Sequence, residues 1–231
     1  MKRMKKKELL VLSLGGSIVV PDGIDSAFLK KFVVFIKRNL RRFRFIIVVG
    51  GGRTCRIYQN VARELAVRSQ TELDWVGIAA TRLNAELLRA IFGKLAEKKV
   101  MINFQKPPLF KRPIMIAAGD APGSSSDEDA VAAARLYGAK KIINLSNIDY
   151  AYTRDPKKFP DALPIKNLSW QDFSKLVGSK WVPGKNSPFD PVASRYAKKY
   201  GLEVIIVNGR NLSNLQRVLE GKSFRGTKIV G

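Results

Sequence analysis

The 231 residues carry 42 lysines and arginines against 19 aspartates and glutamates, a formal net charge of +23, with 45% hydrophobic residues, one cysteine and no histidine. This length fits one large α/β domain or two small lobes about a cleft, with enough apolar residues for a core. The lack of histidine excludes His-based acid–base chemistry, Ser-His-Asp triads and most zinc sites, and the lone Cys55 excludes an internal disulfide and suits a reducing cytoplasm.

Basic residues open the chain and the apolar run Leu9–Leu14 follows. Glu8 and Gly15-Gly16-Ser17 break the apolar character too soon for a signal peptide, so a basic tail and then a buried strand are expected. Pro21-Asp22-Gly23 reads as a turn. Ala27–Leu40 sets Phe28, Leu29, Phe32, Phe35, Ile36 and Leu40 at helical spacing, for the core or for a dimer contact. Further strands are expected at Phe45–Val49, Val100–Phe104, Ile114–Ala118, Ile142–Leu145 and Val204–Val207, each short, aliphatic and free of polar alternation. Helices are expected at Arg53–Ala66, Thr81–Phe92, Asp127–Tyr137, Ser169–Leu176 and Ser213–Leu219, the last capped by Ser213, with Asp190 a possible cap before Pro191. The alternation predicts an α/β fold: an open, mostly parallel sheet with helices on both faces. Residues 156–186, rich in proline and glycine, read as a loop-rich excursion within one domain. No apolar stretch is long enough to span a bilayer.

Two strands end in glycine clusters, Gly15-Gly16-Ser17 and Gly50-Gly51-Gly52. Glycine lets a backbone approach a ligand closely, and free N–H groups at a helix start attract phosphate. Neither spacing is a P-loop or a dinucleotide fingerprint. Each cluster alone reads equally as a structural turn; together they suggest two anionic groups in one cleft. A third segment, Gly119 to Asp127, offers Ser124, Ser125 and Ser126, although Ser126 or Asp127 also reads as a plain helix cap. A fourth, Asn144 to Pro156, offers polar and aromatic groups suited to a ribose and a purine.

These four segments, in this order, resemble the amino-acid kinase superfamily and, within it, the archaeal type of UMP kinase. The resemblance runs from about Leu10 to Gly226-Thr227. It rests on Gly15-Gly16-Ser17, Gly50-Gly51-Gly52 with Arg56, Asp74 to Ile78, Thr81 to Ala85, Pro122-Gly123 leading to Ser125-Ser126-Asp127, and Asn147-Ile148-Asp149 leading to Tyr152 and Asp155-Pro156. It implies a three-layer sandwich in one domain, with an acceptor lobe over about 8–125 and an ATP lobe over about 126–231. It implies ATP phosphates against Gly15, Gly16, Ser17 and Gly52 with Arg56 nearby, and adenosine at Ser146, Tyr152 and Asp155. UMP is implied at Gly51, Asp74, Asp120, Gly123, Ser124, Ser125 and Ser126. Asp127, Arg56 and Gly16 are the implied catalytic groups, with Asp127 holding cations in place. Mg²⁺ would ride mainly on the phosphates, with no protein metal site. A cytoplasmic homo-oligomer, a hexamer, is also implied.

Phosphoryl transfer to an ionised acceptor needs positioning and charge neutralisation, which a histidine-free chain can supply. Ser13 stands where many superfamily members have lysine, and Tyr150 where the family has glycine. Lys180 and Lys185 are candidates for a phosphoryl contact, or solvated surface. Alternatives are another kinase of the superfamily, such as one acting on isopentenyl phosphate, and a catalytically silent nucleotide- or oxyanion-binding protein. Nucleic acid is supported by charge alone and, without interleaved aromatic residues, is not the expected partner.

Overall fold

The computed structural model describes residues 7–156, 158–178 and 187–231. In chain order the first half holds β1 (Glu8–Leu14), α1 (Gly16–Val19), α2 (Ser26–Asn39), β2 (Phe43–Val49), α3 (Gly52–Glu64), α4 (Gln70–Phe92) and β3 (Ile114–Ala117). The second holds α5 (Ser126–Tyr137), β4 (Lys141–Ser146), β5 (Ala151–Tyr152), β6 (Pro164–Ile165), β7 (Asn167–Ser169), α6 (Trp170–Val177), α7 (Pro191–Lys199), β8 (Glu203–Asn208), α8 (Leu212–Leu219) and β9 (Thr227–Val230). The main sheet runs β3-β2-β1-β4-β8-β9-β7. Its first five strands are parallel; β9 lies antiparallel to β8 and β7 pairs parallel with β9.

Alternate residues of each strand feed opposite faces. Leu10, Leu12 and Leu14 of β1 join Phe32 and Ile36 of α2, Leu88 and Phe92 of α4 and Leu215 of α8. Val11 of β1 joins Ala130 and Ala134 of α5, Phe173 of α6 and Ala193 of α7 on the other face. Burial on both sides is why these strands read as unbroken apolar runs. The three-layer α/β sandwich is as expected.

Several local expectations are corrected. Residues 100–104 make no strand: Met101 forms one isolated bridge to Ala117, and Asn103 Oδ1 then accepts the N–H groups of Gln105 and Lys106, turning the chain. The helix expected at Thr81 begins eleven residues earlier, at Gln70. Gly77 lies inside it because α3 crosses there; a Cβ on Gly77 would lie 2.9 Å from Gln59 Nε2. The cap of α8 is Asn211, whose side chain accepts from Asn214, and not Ser213. Helix α7, the short edge strand β7 and its neighbour β9 carried no readable period. Asp190 does cap α7, accepting from Val192 and Ala193.

The apolar face of α2, read as core or dimer contact, is buried in the core. The exposed apolar helix is α3, which buries none of its residues in the single chain and shows Ile57, Tyr58, Val61 and the adjoining Leu65 to solvent.

The strand order reverses between β1 and β4: β2 and β3 lie on one side of β1, β4 and β8 on the other. At that point Gly15 N–H donates to Leu145 O (3.0 Å), and Gly50 N–H donates to Leu14 O (3.0 Å). The two glycine clusters touch: a Cβ on Gly50 would lie 2.6 Å from the nitrogen of Gly16, and one on Gly16 would strike the backbone of Gly52. Gly52 also needs its left-handed φ of +64°. Gly16→Ala is therefore expected to cost about 1–3 kcal/mol through forced separation of the strand ends. Urea unfolding checks this; an unchanged midpoint would show that the crest can spread.

Candidate active site

The site is built on two strand positions that break apolar runs. Ser13 of β1 and Asn144 of β4 are register partners and project to the α5 face. Buried polar groups need partners, and theirs is Asp127. Asp127 Oδ1 accepts from Ser13 Oγ (2.9 Å) and Asn144 Nδ2 (3.2 Å), and its Oδ2 accepts from the Asp190 N–H (3.1 Å). The helix cap is neither Ser126 nor Asp127. Ser125 caps α5 in a reciprocal box, its Oγ accepting from Glu128 N and its N–H donating to Glu128 Oε1. Asp127 is thereby left to the cleft at the switch point.

The donors around Asp127 are all neutral. Asp190 is 5% exposed, and among the described residues its Oδ2 has no hydrogen-bond partner, so none of their cations offsets this second carboxylate from within hydrogen-bonding range. Three successive carboxyls of α5 titrate high. Loss of hydration pushes Asp127 up to about 6, against the hydrogen bonds from Ser13 and Asp190 that pull it down. Glu128 rises to about 7, through burial and then the charge of Asp190. Asp129, 4% exposed, rises to about 8, through burial and then the charge of Asp120.

Toward β2 and β3, Asn84 of α4 donates to the carbonyls of Gly50 (2.9 Å) and Gly51 (3.1 Å), fixing the second glycine cluster. Gly51 caps α3 by position, and its backbone faces Cys55 and Gly77. Arg82 donates to the carbonyls of Gly119 and Asp120, both at 3.1 Å. Asp120 Oδ2 accepts from Phe104 N–H (3.3 Å). Asp74 Oδ2 accepts from Gly123 N–H (2.8 Å), while its Oδ1 accepts from Gln70. The loop from Asp120 to Ser125 is thus tethered across the end of α4, with Ser124 exposed and Ser126 opening α5.

On the β4 and β8 side, the Ser146 carbonyl accepts from Gly209 N–H (2.8 Å). Asn208 Nδ2 donates to Asp149 Oδ1 (3.1 Å). Tyr152 meets Tyr150 edge-on, ring centroids 6.2 Å apart. Asp155 lies farther out in an exposed turn whose carbonyl accepts from Lys158 and Phe159. Gly16 and Gly52 meet at the crest, with Gly15, Ser17 and Gly51 adjoining them in sequence and Asp127 bonded to Ser13 two residues before Gly15, whereas Arg56 is exposed on α3 one turn beyond the crest. Lys180 and Lys185 fall outside the described residues. Among those described, no three His, Cys, Asp or Glu side chains gather to hold a metal ion. Asn144, Asn84 and Arg82 were not singled out as site residues from sequence. The polar break in Ile142-Ile143-Asn144-Leu145 was the available signal.

Residues 8–208 match the model of the amino acid kinase family. The chain is 32% identical over 224 residues to the uridylate kinase of Methanobrevibacter smithii, covering 96% of this chain and 98% of that one. It is 34% identical over 225 residues to the uridylate kinase of Methanothermobacter thermautotrophicus, with 96% and 98% covered. The crystal structure of uridylate kinase from Archaeoglobus fulgidus superposes with a TM-score of 0.82 at 31% identity, over 96% of this chain and 99% of that one.

Asp127, Glu128 and Asp129 all titrate above their unfolded values, so each supports folding fully below about pH 4 and loses that contribution as pH rises through its folded value. Replacing Asp129 by Asn removes its share. The melting temperature of Asp129→Asn relative to wild type is expected to rise between pH 5.5 and 8.5. A difference independent of pH would place this carboxyl in water.

Proposed function

The chain belongs to the amino acid kinase family, and from that premise we propose that it transfers the γ-phosphoryl group of MgATP directly to UMP, forming UDP in pyrimidine nucleotide biosynthesis. The observation that carries this reading is the pair of touching glycine clusters beside Asp127 at the β1–β4 switch point. Open parallel sheets bind ligands at such a point. Two phosphorylated ligands, one over each cluster, would meet there end to end.

The acceptor lobe would be about 8–125 and the donor lobe about 126–231. UMP would lie over Gly51, with its base toward the Asp120–Ser126 loop. Asp74, now bonded to Gly123 N–H, would exchange or share that bond with the ribose hydroxyls. Donor phosphates would lie over Gly15, Gly16, Ser17 and Gly52, and the nucleoside near Ser146 and Tyr152, with Asp155 at the rim. The acceptor phosphate is already ionised and needs no side-chain base. Mg²⁺ bound to the phosphates would supply charge neutralisation. A donor set of backbone N–H groups, with no three-ligand cluster among the described residues, fits a cation carried that way.

Asp127 serves this reaction by positioning. Its carboxylate holds Ser13, Asn144 and the peptide of Asp190, and so fixes the floor on which the two phosphates meet. This differs from a carboxylate that orients cations, since its three donors are neutral. Arg56 would swing in from α3 to the phosphates.

The test is initial-rate kinetics with UMP, CMP and isopentenyl phosphate. UMP is expected to show the highest kcat/KM; a better acceptor among the others would overturn the assignment. In Asp127→Asn one of the three acceptor contacts becomes a clash of donors. A fall in kcat of about a hundredfold is expected, with KM and the melting temperature little changed. Near-wild-type kcat would remove Asp127 from the mechanism.

Assembly follows from α3. Ile57, Val61 and Leu65 recur every four residues on a face the single chain leaves open, and we assign it to a second copy within a cytoplasmic hexamer. Among the described residues no helix is long and apolar enough to cross a membrane. Light scattering is expected to give a hexameric mass, and Val61→Glu to lower it. A monomeric wild type would refute the assembly.

A further inference from the structure

Among the described residues, none places a cationic side chain on Ser13 or Asp127 at the floor of the crest. Ser13 occupies the strand position beside Asp127, and the donors to Asp127 are neutral. A triphosphate laid on Gly15–Ser17 would still need positive charge on the β4 and β8 side.

The first residue past the tight packing at the end of β8 is an arginine. Gly209 lies against Leu145, where an added Cβ would come within 2.9 Å of the Leu145 Cβ, and this close fit brings the chain beside Gly15. Arg210 follows. Its backbone N–H donates to Asn208 Oδ1 (3.1 Å), and Asn208 bonds Asp149, which pairs with Arg225 at 3.5 Å. Its guanidinium reaches the other way, to Asp25 Oδ2 at 2.8 Å. Asp25 caps α2 through its other oxygen and donates its N–H to Val19 O at the end of α1. Arg210 therefore stands between the glycine crest and the Asp149–Tyr152 loop. A nucleotide with phosphates on the crest and base toward Tyr152 has to pass it.

The pair with Asp25 is incompletely shielded. The arginine side chain is 44% exposed, and pairs of this kind add little stability. Asp25 does not need the arginine to cap α2, because that bond uses Oδ1. A more highly charged partner in the cleft would compete for the guanidinium with bidentate geometry that a lysine cannot match. The corresponding arginine on the acceptor side, Arg53, is paired with Asp22 of the same loop at 3.2 Å. The loop between α1 and α2 thus holds one arginine from each side of the crest.

We infer that Arg210 is a phosphate-binding residue for the donor nucleotide, held on Asp25 until the polyphosphate takes it. The inference rests on the donor-site reading above and adds to it the residue that reads the donor's charge. Its consequence is that the two halves of one ion pair act in opposite directions. Arg210→Ala removes the phosphate contact. Asp25→Asn frees the arginine and keeps a good helix cap.

Calorimetric titration with MgATP, and separately with UMP, tests it. Arg210→Ala is expected to weaken MgATP binding about tenfold or more and leave UMP binding unchanged. Arg210→Lys should recover part of the loss, and Asp25→Asn should bind MgATP as tightly as wild type or tighter. Equal weakening by Arg210→Ala and Asp25→Asn would overturn the inference by showing a structural latch. Unchanged MgATP affinity in Arg210→Ala would overturn it outright. Wild-type protein that binds no MgATP would take down the donor-site reading and this inference together, whereas the two preceding outcomes leave that reading standing. Melting temperatures of all three variants, expected within a few degrees of wild type, separate lost contacts from lost folding.

Discussion

Everything at the cleft depends on two backbones passing in contact where β1 and β2 end. Gly16 lies against Gly50 and Gly52 with no room for a side-chain carbon on any of the three. This contact fixes the spacing of the two strand ends. It leaves a surface of peptide groups, which can approach a phosphate more closely than any side chain would allow. It also sets the starts of α1 and α3 side by side. Asn84 reinforces it from below by donating to Gly50 and Gly51, so the crest is held from α4 as well as from the sheet.

The charge distribution around this crest has a consistent logic. A chain with a net charge of +23 nevertheless places Asp127, Glu128 and Asp129 in the first turn of α5, beside Asp190 at the cap of α7. The helix dipole favours acids there, but burial works against their ionisation. Asp127 stays useful as a carboxylate because three dipoles are aimed at it. Exposed arginines, including Arg56 and Arg210, stand at the rim instead.

Much of the fold was legible because buried parallel strands need unbroken aliphatic runs. Five of the six strand expectations correspond to β1, β2, β3, β4 and β8. The failure at residues 100–104 came from the same rule: Val-Met-Ile-Asn-Phe has a strand's composition, and only the Asn103 turn denies it a ladder. The first half of α4 was hidden because Gly77, a helix breaker by propensity, serves there as a packing notch for α3. Strands β7 and β9, at and next to the sheet edge, are too short to show a period. At the site, the glycine clusters and Asp127 stood out by pattern. The cap at Ser125 was misplaced by one or two residues, since four consecutive residues, Ser124 to Asp127, all suit a cap and only the reciprocal bond with Glu128 decides. Asp190 was visible as a cap and invisible as a neighbour of Asp127, because that contact spans 63 residues.

The serine at position 13 shows how a missing charge is absorbed. A lysine there would offer Asp127 an ammonium; Ser13 offers one hydroxyl hydrogen bond and leaves more of the carboxylate's charge uncompensated. Asn144, the register partner of Ser13, supplies a second donor from the adjacent strand, and the Asp190 peptide a third. Three neutral bonds orient a carboxylate as firmly as one ion pair, since each fixes a direction while a point charge fixes mainly a distance. They do not neutralise it, which is why its proton affinity rises with burial. In the proposed reaction the charge would return with the ligand, through the cation on its phosphates and the arginines at the rim. In that reaction such a site would be complete only with both phosphorylated ligands bound, which would guard ATP against transfer to water while the acceptor place is empty.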